Sequence, residues 1–459
     1  MKRRHFLQKS GGLGLLLSAP WVPPTHPGTL KVDQVREAAR DIPVAGTYDV
    51  IVAGAGPAGI AAAIEAGRSG ARTLLIETHG CLGGVWTAGY LTWILDNKNK
   101  PGLMQEIMQE LQKKPTAATV PSGSTFAFDA EDMKLLLEEL CAKAKVDILY
   151  FTRVVAAMKE QRKLSYVVTE SKSGREAWKG NVFIDCTGDG DLAARAGCQY
   201  DYGDSSGQGQ PMSLLCLVTG VQYKEIQEFV RDETDSKTGS PSKKRLESEI
   251  VRGGVSPSYT RPGLYPIRDD LFMLMTHHAY GFKGTDARQV TEATLNGRME
   301  LHKIVNALRS LGGAWKDLKI VATGEQIGVR ESRRIKGLYT VTMADIQKGI
   351  RHEDAVCRVT FGIDVHSVKK EDETKQSYNR GVKMQPYDIP IRALIAKDVD
   401  GLMMAGRCIS GDFIAHSSYR VTGNAVAMGQ AAGRVAALAS KSNALPQQVP
   451  WKEVAWHVE

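Results

Sequence analysis

Three features that often indicate function are missing from this sequence. It has no Cys-x-x-Cys pair, no apolar run long enough to cross a membrane, and no basic stripe interleaved with aromatic residues. The 7 cysteines are scattered, and their odd number argues against a complete disulfide framework. The adjacent His277 and His278 do not easily face one ion, and no third ligand is spaced to join them. We therefore expect no nucleic-acid partner, no stable membrane span and no bound metal.

The composition is otherwise ordinary. A chain of 459 residues has room for two or three domains with a sizeable core. The apolar fraction of 42% and the charged fraction of 24% are typical of a globular protein. The net charge of +8 is modest for this length, and the basic residues at 2–4 and 243–245 contribute to it. Composition alone therefore indicates no substrate or partner.

The first residues have a different character from the rest of the chain. Basic residues at 2–9 precede a short apolar segment that is diluted by glycine, an order typical of a secretion signal. The sequence Arg3-Arg4-His5-Phe6-Leu7 resembles a twin-arginine signal, which directs the export of proteins that have already folded. We predict a signal sequence over 1–24, a linker over 25–46, and a periplasmic or otherwise exported protein. A disordered basic tail is the alternative.

The segment 48–77 predicts a strand, a glycine turn, a helix and a second strand. Residues 50–53 are apolar enough for a buried parallel strand, and residues 73–76 form the next one. Between them, Gly54, Gly56 and Gly59 give the spacing G-x-G-x-x-G. Gly54 permits a tight turn, Gly56 lets a pyrophosphate approach the backbone, and Gly59 lets the helix pack on the strand.

The end of the second strand completes this motif. The helix N-terminus offers free N–H groups to phosphates. Glu77 follows the second strand directly and can accept hydrogen bonds from ribose hydroxyls. The sequence therefore predicts a dinucleotide site. A glycine-rich turn in an ordinary α/β protein is the alternative, but such a turn would not need the terminal acid.

Strand, glycine and helix follow one another twice more along the chain. Residues 182–191 predict a strand that runs into a glycine turn, with Thr187-Gly188-Asp189 at the carboxyl edge of the sheet. Residues 401–407 repeat that order and precede a helix of small residues at 424–439.

Three local predictions concern other parts of the chain. Asp129 is a candidate N-cap, and the spacing over 286–312 predicts a helix. The polar stretch 224–244 predicts a surface loop.

From residue 48 onwards the chain resembles the bacterial FAD-dependent oxidoreductase family, whose FAD domain is of the glutathione-reductase class. The segments that carry the resemblance are Gly83-Gly84, 184–191, 328–334, 362–366, 389–392, 405–410, 415–421 and 429–433. It implies an α/β fold in which a doubly wound, Rossmann-like FAD-binding domain spans 47–200 and 388–440. An α+β substrate domain is inserted at 201–387, and a tail follows at 441–459. Residues 422–424 depart from the family, whose members often have a proline at this helix start.

The resemblance implies FAD as the cofactor. It places the Gly83-Gly84 loop near the diphosphate. It also places the N-terminus of the helix that begins near Thr422 at the flavin, where the helix dipole stabilises negative charge. Together with the dinucleotide motif, it gives as cofactor-binding residues Gly54, Gly56, Pro57, Ala58, Gly59, Glu77, Gly83, Gly84, Val155, Thr187, Gly188, Asp189, Gly406, Thr422, Gly423 and Asn424.

Three side chains are candidates for catalysis. The resemblance places His416 over the isoalloxazine, where a histidine can take the proton from a substrate C–OH while a hydride goes to flavin N5. The alternative is a histidine that hydrogen-bonds backbone beside the cofactor. Arg330 and Arg420 can bind a carboxylate or a hydroxyl-rich substrate in a bidentate manner. The alternative for the arginines is internal salt bridges, with Glu331 and Asp364 as partners.

The sequence thus predicts an FAD-dependent oxidoreductase that oxidises a hydroxylated small molecule. A flavin-dependent reductase or desaturase acting on C=C or C–C bonds is a second interpretation. A non-catalytic flavin-binding electron-transfer partner is a third, from a different class of protein. The substrate, the electron acceptor and the oligomeric state stay open at this point.

Overall fold

The computed structural model describes residues 35–117, 125–373, 377–454, 456 and 458. The predicted signal sequence lies outside these residues. The chain divides into two compact units, Met1–Asp41 and Ile42–Glu459, and the helices and strands of the described residues belong to the second.

Helices and strands alternate over the first half of this unit and again near its end. The α-helices are α1 Pro57–Arg68, α2 Leu103–Gln112, α3 Ala130–Lys143, α4 Asp191–Arg195, α5 Tyr223–Ile226, α6 Glu233–Lys237, α7 Pro241–Arg252, α8 Ala287–Ser310, α9 Met343–Lys348, α10 Phe413–Tyr419, α11 Thr422–Lys441 and α12 Trp451–Val454. The strands are β1 Val44–Ala53, β2 Thr73–Ile76, β3 Trp93–Ile94, β4 Phe126–Ala127, β5 Val146–Leu149, β6 Arg153–Glu160, β7 Lys163–Ser171, β8 Gly174–Asp185, β9 Tyr200–Asp201, β10 Cys216–Thr219, β11 Gly263–Arg268, β12 Leu271–Met275, β13 Lys319–Thr323, β14 Arg334–Ile335, β15 Ala355–Val359, β16 Tyr387–Pro390 and β17 Leu402–Met404.

The main sheet is built from parallel strands in the order β5-β2-β1-β8, and β17 also pairs in parallel with β8. The first half of β8, which also pairs with β1, has β7 as an antiparallel neighbour on its other side, and β7 pairs with β6. All four residues of β2 are buried, as is expected of a parallel strand covered on both faces. This is the doubly wound, Rossmann-like α/β class that the sequence predicts.

Helices α1 and α11 pack against each other at very short range. A Cβ atom on Gly429 would clash with the carbonyl oxygen of Ala58, and one on Gly433 would clash with that of Ala62. The contact therefore depends on glycine because any side chain would push the two helices apart. It fixes the returning C-terminal helix directly over the helix that follows the first strand.

A second sheet is antiparallel, with the order β11-β12-β10-β13. Side chains of α7 and α8, including Leu246, Leu301 and Ile304, pack on it and form a separate hydrophobic core. The core under the parallel sheet also contains side chains from 335–399, such as Tyr387. The predicted domain boundaries at 47–200, 201–387 and 388–440 stay a prediction.

Two local predictions are wrong. The stretch 224–244 is not a loop, because it contains α6 and the start of α7. Its polar side chains make helix caps, since Asp232 accepts a hydrogen bond from the backbone N of Asp235 at 2.8 Å. Pro241 begins α7, whose apolar side is buried. The predicted linker contains the start of β1, which begins at Val44 because that residue pairs with β8.

No described helix is both long enough and apolar enough to span a bilayer. All seven cysteines are free, and six of them are buried. Cys81, which lies on the loop after β2, is the one that is half-buried. Burial raises the pKa of its thiol, so the reactive thiolate is disfavoured there.

The buried His277 gives the second sheet a pH-dependent stability. Its side chain is 2% exposed, and its Nδ1 accepts a hydrogen bond from the backbone N of Leu214 at 3.1 Å. Burial lowers the pKa of His277 from 6.5 to about 4. At pH values between about 4 and 6.5, His277 therefore binds a proton in the unfolded chain but not in the folded chain. The free energy of unfolding falls as the pH drops through this range.

We expect the His277→Asn protein to lose less stability on acidification than the wild type. The difference in the free energy of unfolding between pH 7 and pH 4 should shrink by up to roughly 3 kcal/mol, the equivalent of the pKa shift. Urea unfolding at both pH values measures it. His302→Asn, at an exposed position of α8, is the control and should behave like wild type. An unchanged pH dependence in His277→Asn would contradict the assignment.

Candidate active site

The first glycine turn joins β1 to α1. Gly54 has a φ of +90°, and a Cβ there would lie 2.6 Å from the carbonyl oxygen of Cys186, so only glycine fits. A Cβ on Gly59 would clash with the carbonyl oxygen of Gly54. Gly56 differs from both, since its φ is −67° and a Cβ would meet nothing within 4 Å. Gly54 and Gly59 are therefore required by the fold, whereas Gly56 borders open space.

Helix α1 begins directly beside that space. Pro57 is its first residue, and no side chain caps its N-terminus. The free N–H groups of its first turn, including that of Ala58, point out of the helix and are available to an anion. That this helix end receives the pyrophosphate stays a prediction.

Glu77 holds the turn in place. Its side chain is 6% exposed. One carboxylate oxygen accepts a hydrogen bond from the backbone N of Ala55 at 2.6 Å, and the other from that of His79 at 2.8 Å. Each oxygen keeps a further lone pair for a ribose hydroxyl. The acid at the end of β2 therefore has a structural role that the sequence motif alone did not indicate.

The loop after β2 returns to the first turn. Gly83 has a φ of +104°, and Gly84 starts a short 3-10 helix, Gly84–Trp86. A Cβ on Gly84 would lie 2.9 Å from the Cα of Gly56. The two glycine segments can approach this closely only because neither carries a side chain, so together they border the same open space.

The turn after β8 is organised by Asp185, a residue that sequence reasoning did not single out. Its carboxylate accepts hydrogen bonds from the backbone N and the hydroxyl of Thr187, at 3.0 and 2.7 Å, and from the backbone N of Ala193 at 2.8 Å. Burial raises the pKa of Asp185. Its position as the last residue of a buried strand was the signal that could have identified it.

Asp189, the predicted acid of this turn, forms an ion pair with Arg407 at 3.0 Å. A Cβ on Gly188 would lie 2.6 Å from the same guanidinium. Arg407 follows Gly406, whose Cβ would lie 3.1 Å from that of Ala58. The returning strand β17 thus brings its own turn against the turn of β8 and the start of α1.

The N-terminus of α11 lies at the same edge of the sheet. Thr422 is the first residue of this helix, and no side chain caps it. A Cβ on Gly423 would clash with the carbonyl oxygen of Asp96, so the helix end is held against that loop. The turns after β1, β2, β8 and β17 all follow the carboxyl ends of parallel strands, which is where open α/β sheets bind ligands. Val155, the remaining predicted contact, lies on β6 and is half-buried.

Several buried polar atoms near these turns have no hydrogen-bond partner among the described residues. They belong to Trp86, Arg407, His416, Arg420 and Asn424, and both nitrogens of His416 and both polar atoms of the Asn424 side chain are included. Leaving such atoms unpaired costs about 1–3 kcal/mol each. A polar ligand that supplies partners would remove this cost, so the residues present fit a large polar cofactor.

His416 lies on the short helix α10. Asp412 caps this helix, because its carboxylate accepts a hydrogen bond from the backbone N of Ala415 at 2.7 Å. The His416 ring is 0% exposed and packs edge-on against Tyr419 with 5.6 Å between ring centroids. Burial, reinforced by Arg420 and Arg334, holds the pKa of His416 well below its usual value. Its imidazole is therefore neutral near pH 7 and able to accept a proton. Its contact with a substrate stays a prediction.

Arg420 is engaged by the loop opposite α10. Its Nη2 donates to the backbone oxygen of Asp364 at 2.6 Å and to the carboxylate of that residue at 3.2 Å. Burial and the neighbouring Arg330 lower the pKa of Arg420 to about 10. Arg420 thus has the internal partner that the sequence offered as its alternative, while its Nε remains unpaired among the described residues.

Arg330 is held by other groups. Its Nε donates to the backbone oxygen of Pro211 at 3.1 Å, and its Nη2 to the Ser213 hydroxyl at 2.9 Å. The same Nη2 lies 3.1 Å from His278 Nε2, which must act as acceptor because an arginine has no lone pair to offer. Glu331, its suggested partner, pairs instead with the buried Arg334.

A buried cluster of histidine, tyrosine and carboxylate groups adjoins these arginines and was missed by sequence reasoning. His366 Nδ1 lies 3.0 Å from Glu373 Oε1, and His366 Nε2 lies 3.4 Å from Asp364 Oδ2. The Tyr259 ring stacks on His278 with 3.9 Å between centroids, and His278 meets the His366 ring edge-on. These residues are far apart in the sequence and no local pattern joins them.

Three members of this cluster have the atoms to hold a metal ion. One ligand atom each from His278, His366 and Glu373 lies within 4.8 Å of the others. However, Arg330 occupies His278 Nε2, and Glu373 occupies one nitrogen of His366. A cation would have to displace a guanidinium and stand beside it, which is electrostatically unfavourable. The cluster is better described as a closed hydrogen-bond network.

Gln210 connects this network to α10. Its amide nitrogen donates to the Ser417 hydroxyl at 3.0 Å, and its amide oxygen accepts from the backbone N of His366 at 2.9 Å. The backbone N of Asp364 also donates to the carbonyl oxygen of Ser417 at 3.1 Å. The loop that carries Asp364 and His366 is therefore fixed against the helix that carries His416.

Comparison with known protein families identifies the family of this chain. Residues 49–458 match the family described as FAD dependent oxidoreductase. The chain belongs to that family. It is an FAD-dependent enzyme, and that the turns described above hold the cofactor stays a prediction. No curated protein sequence matches the chain.

Solved structures with related folds share little sequence with this oxidoreductase. A geranylgeranyl bacteriochlorophyll reductase-like protein from Thermoplasma acidophilum has 14% identity and a TM-score of 0.49, with 89% of this chain and 82% of that chain covered. The flavin-dependent brominase Bmp2 has 12% identity and a TM-score of 0.48, covering 89% and 83%. A myxobacterial chondrochloren halogenase has 12% identity and a TM-score of 0.45, covering 89% and 78%. Values this low support no argument about the reaction catalysed here.

Proposed function

We propose that the protein is a dehydrogenase that removes a hydride and a proton from a hydroxylated small molecule. The observation that carries this proposal is the neutral, fully buried His416, whose two ring nitrogens have no hydrogen-bond partner among the described residues. Bound FAD supplies the hydride acceptor, its N5 atom. A dehydrogenase needs in addition a group that accepts the hydroxyl proton, and a neutral histidine is suited to that role.

The surrounding residues would position and protect this proton acceptor. Tyr419 fixes the orientation of the His416 ring, and Asp412 fixes the helix that carries it. The zero exposure of the ring excludes water, which would otherwise compete for the proton. Arg420 and Arg334 disfavour a charged imidazole, so a proton taken up there would be passed on readily.

Anaerobic mixing with candidate substrates tests the proposal. Purified protein with FAD bound is mixed with sugars, hydroxy acids and sterols, and loss of the oxidised flavin absorbance is followed. Bleaching by an alcohol, with formation of the corresponding carbonyl compound, supports a dehydrogenase. If no alcohol bleaches the flavin but C=C compounds reoxidise the reduced protein, the reductase interpretation replaces it. Electron exchange with dyes alone would favour the electron-transfer interpretation.

We also propose that the protein is exported by the twin-arginine route. The support is the Arg3-Arg4-His5-Phe6-Leu7 sequence followed by a cofactor-binding fold that begins at β1. A protein that binds FAD as it folds would need a route that accepts folded cargo.

Replacing Arg3 and Arg4 together with lysine should abolish export. The expected result is folded, FAD-containing protein retained in the cytoplasm, measured by fractionation of an expressing cell that has a periplasm. The replacement keeps the charge, so only recognition of the arginine pair is lost. Arg36→Lys with Arg40→Lys, beyond the predicted signal, is the control and should leave export unchanged. Normal periplasmic yield of the first double variant would refute the proposal.

A further inference from the structure

The N-termini of two helices approach Gly406, in the turn after β17. A Cβ on Gly406 would lie 3.1 Å from the Cβ of Ala58, in the first turn of α1, and 3.9 Å from that of Ala425, in the first turn of α11. Neither helix has a side-chain cap at this end. The free N–H groups of an uncapped first turn carry partial positive charge. Two such helix ends therefore lie beside one glycine turn.

Arg407 adds a full positive charge directly after this glycine. Its side chain is 17% exposed, and its Nη2 pairs with the carboxylate of Asp189 at 3.0 Å. The same nitrogen would lie 2.6 Å from a Cβ on Gly188, so the guanidinium lies against the turn after β8. Its other terminal nitrogen, Nη1, is buried and has no acceptor among the described residues. A buried charged donor without an acceptor is costly, and an anionic ligand would remove that cost.

Asn424 is a second, independent sign of a ligand at this place. It lies next to Ala425 in the first turn of α11, and its side chain is 0% exposed. Neither its amide nitrogen nor its amide oxygen has a hydrogen-bond partner within the described parts of the chain. A buried amide needs both an acceptor and a donor. A ligand that satisfies it is therefore polar, as FAD is.

Asp189 is itself fixed by Arg333. The Nη1 of Arg333 donates to the backbone oxygen of Asp189 at 3.0 Å and to the carboxylate of Asp191 at 2.9 Å. The backbone of this turn is thus held independently of Arg407, while the Asp189 carboxylate accepts from Arg407. The ion pair fixes one arm of the Arg407 guanidinium. Because that group is planar and rigid, the ion pair also fixes the direction of the free Nη1.

We propose that Arg407 binds the diphosphate of FAD through Nη1, and that Asp189 positions Arg407 instead of binding the cofactor itself. The glycine motif predicts a pyrophosphate at the start of α1, and the turn that carries Arg407 packs on that first helical turn. A guanidinium can hold a carboxylate with one arm and a phosphate oxygen with another. The proposal rests on the predicted dinucleotide site. It does not depend on the proposed dehydrogenase function.

Dialysis of the holoprotein against decreasing concentrations of FAD tests this role without turnover, since the flavin absorbance that the protein retains gives the affinity. Arg407→Met should bind FAD about tenfold or more weakly than wild type, the equivalent of one charge-assisted hydrogen bond. Arg407→Lys should keep the wild-type melting temperature, because its ammonium can still pair with Asp189. It should nevertheless bind FAD more weakly than wild type, because it lacks the second N–H arm. Arg195→Met, at an exposed arginine of α4 that pairs with Asp191, is the control and should bind FAD as wild type does.

Competition identifies the part of FAD that Arg407 contacts. ADP and adenosine are compared as competitors that release FAD from the holoprotein. ADP should be the better competitor with wild type because it carries a diphosphate, and this advantage should fall about tenfold or more in Arg407→Met. An unchanged advantage would show that Arg407 does not contact the diphosphate and would overturn the proposal. Wild-type FAD affinity in both Arg407→Met and Arg407→Lys would overturn it as well.

A double variant separates the two roles of Asp189. If Asp189 acts only through Arg407, the protein with both Arg407→Met and Asp189→Ala should bind FAD no more weakly than Arg407→Met alone. If the double variant instead binds FAD about tenfold more weakly than Arg407→Met, Asp189 is itself a cofactor ligand and its positioning role is overturned. None of these measurements depends on whether an alcohol bleaches the flavin.

Discussion

A Gly56→Leu protein is expected to fold normally and to purify without FAD. Gly56 has a φ of −67°, which any residue can adopt, and a Cβ there meets nothing within 4 Å. The leucine side chain would instead fill the space beside the first turn of α1, where the sequence motif places the pyrophosphate. Loss of two or three charge-assisted hydrogen bonds to phosphate corresponds to about 3–6 kcal/mol, or a hundred- to ten-thousandfold weaker binding.

Flavin absorbance of the purified protein and titration of the apoprotein with FAD measure this effect. Ala142→Leu is the control, since Ala142 is an exposed residue of α3 and belongs to none of the cofactor turns. It should remain yellow. Gly59→Leu should fail in a different way, by unfolding, because its side chain would clash with the carbonyl oxygen of Gly54. FAD binding by Gly56→Leu at wild-type affinity would place the pyrophosphate elsewhere.

A His416→Ala protein is expected to keep its FAD but to be reduced by substrate very slowly. A positioned base contributes about a hundred- to ten-thousandfold to the rate of a proton transfer, so a loss of that size is expected in flavin reduction by an alcohol that bleaches the wild type. Stopped-flow measurement under anaerobic conditions gives the rate. The FAD content gives the separate readout that a merely structural role would change.

Two further variants make this result interpretable. His302→Ala, at an exposed position of α8, should leave flavin reduction unchanged. His416→Gln fills most of the buried space but cannot accept the proton, so it should be as slow as His416→Ala while being more stable. If His416→Gln is reduced at the wild-type rate, the histidine is a structural residue beside the cofactor. If both variants lose FAD, its role is in cofactor binding.

The parts of this protein that follow from local sequence were predicted correctly. Strand β2 spans Thr73–Ile76 as predicted, because a short run of apolar residues, Leu74 to Ile76, between Arg72 and Glu77 is typical of a buried strand. Asp129 caps α3, and the predicted helix at 286–312 is α8, Ala287–Ser310. A cap and a repeat of apolar residues act within one or two turns, so the neighbouring sequence is sufficient to specify them.

Predictions that depended on distant contacts did less well. The stretch 224–244 was expected to be a loop because its composition is polar, but α7 is stabilised by Leu246 and Ile250, which are buried against the second sheet. Glu77 was expected to accept hydrogen bonds from ribose hydroxyls, and it also accepts one from the backbone N of Ala55, 22 residues earlier in the chain. Neither contact is visible in a local pattern, since each depends on residues brought close by the fold.

The sequence by itself determined that this protein binds FAD in a doubly wound α/β domain and belongs to the family of FAD-dependent oxidoreductases. Glycine spacing and apolar strands specify that fold because they act on neighbouring residues. Only the tertiary structure decided that Arg420 is paired with Asp364 and that His366 lies between two carboxylates. Charge and proton affinity depend on what surrounds a side chain in space, and the fold brings together residues that no local pattern joins, such as Arg420 and Asp364, which lie 56 residues apart.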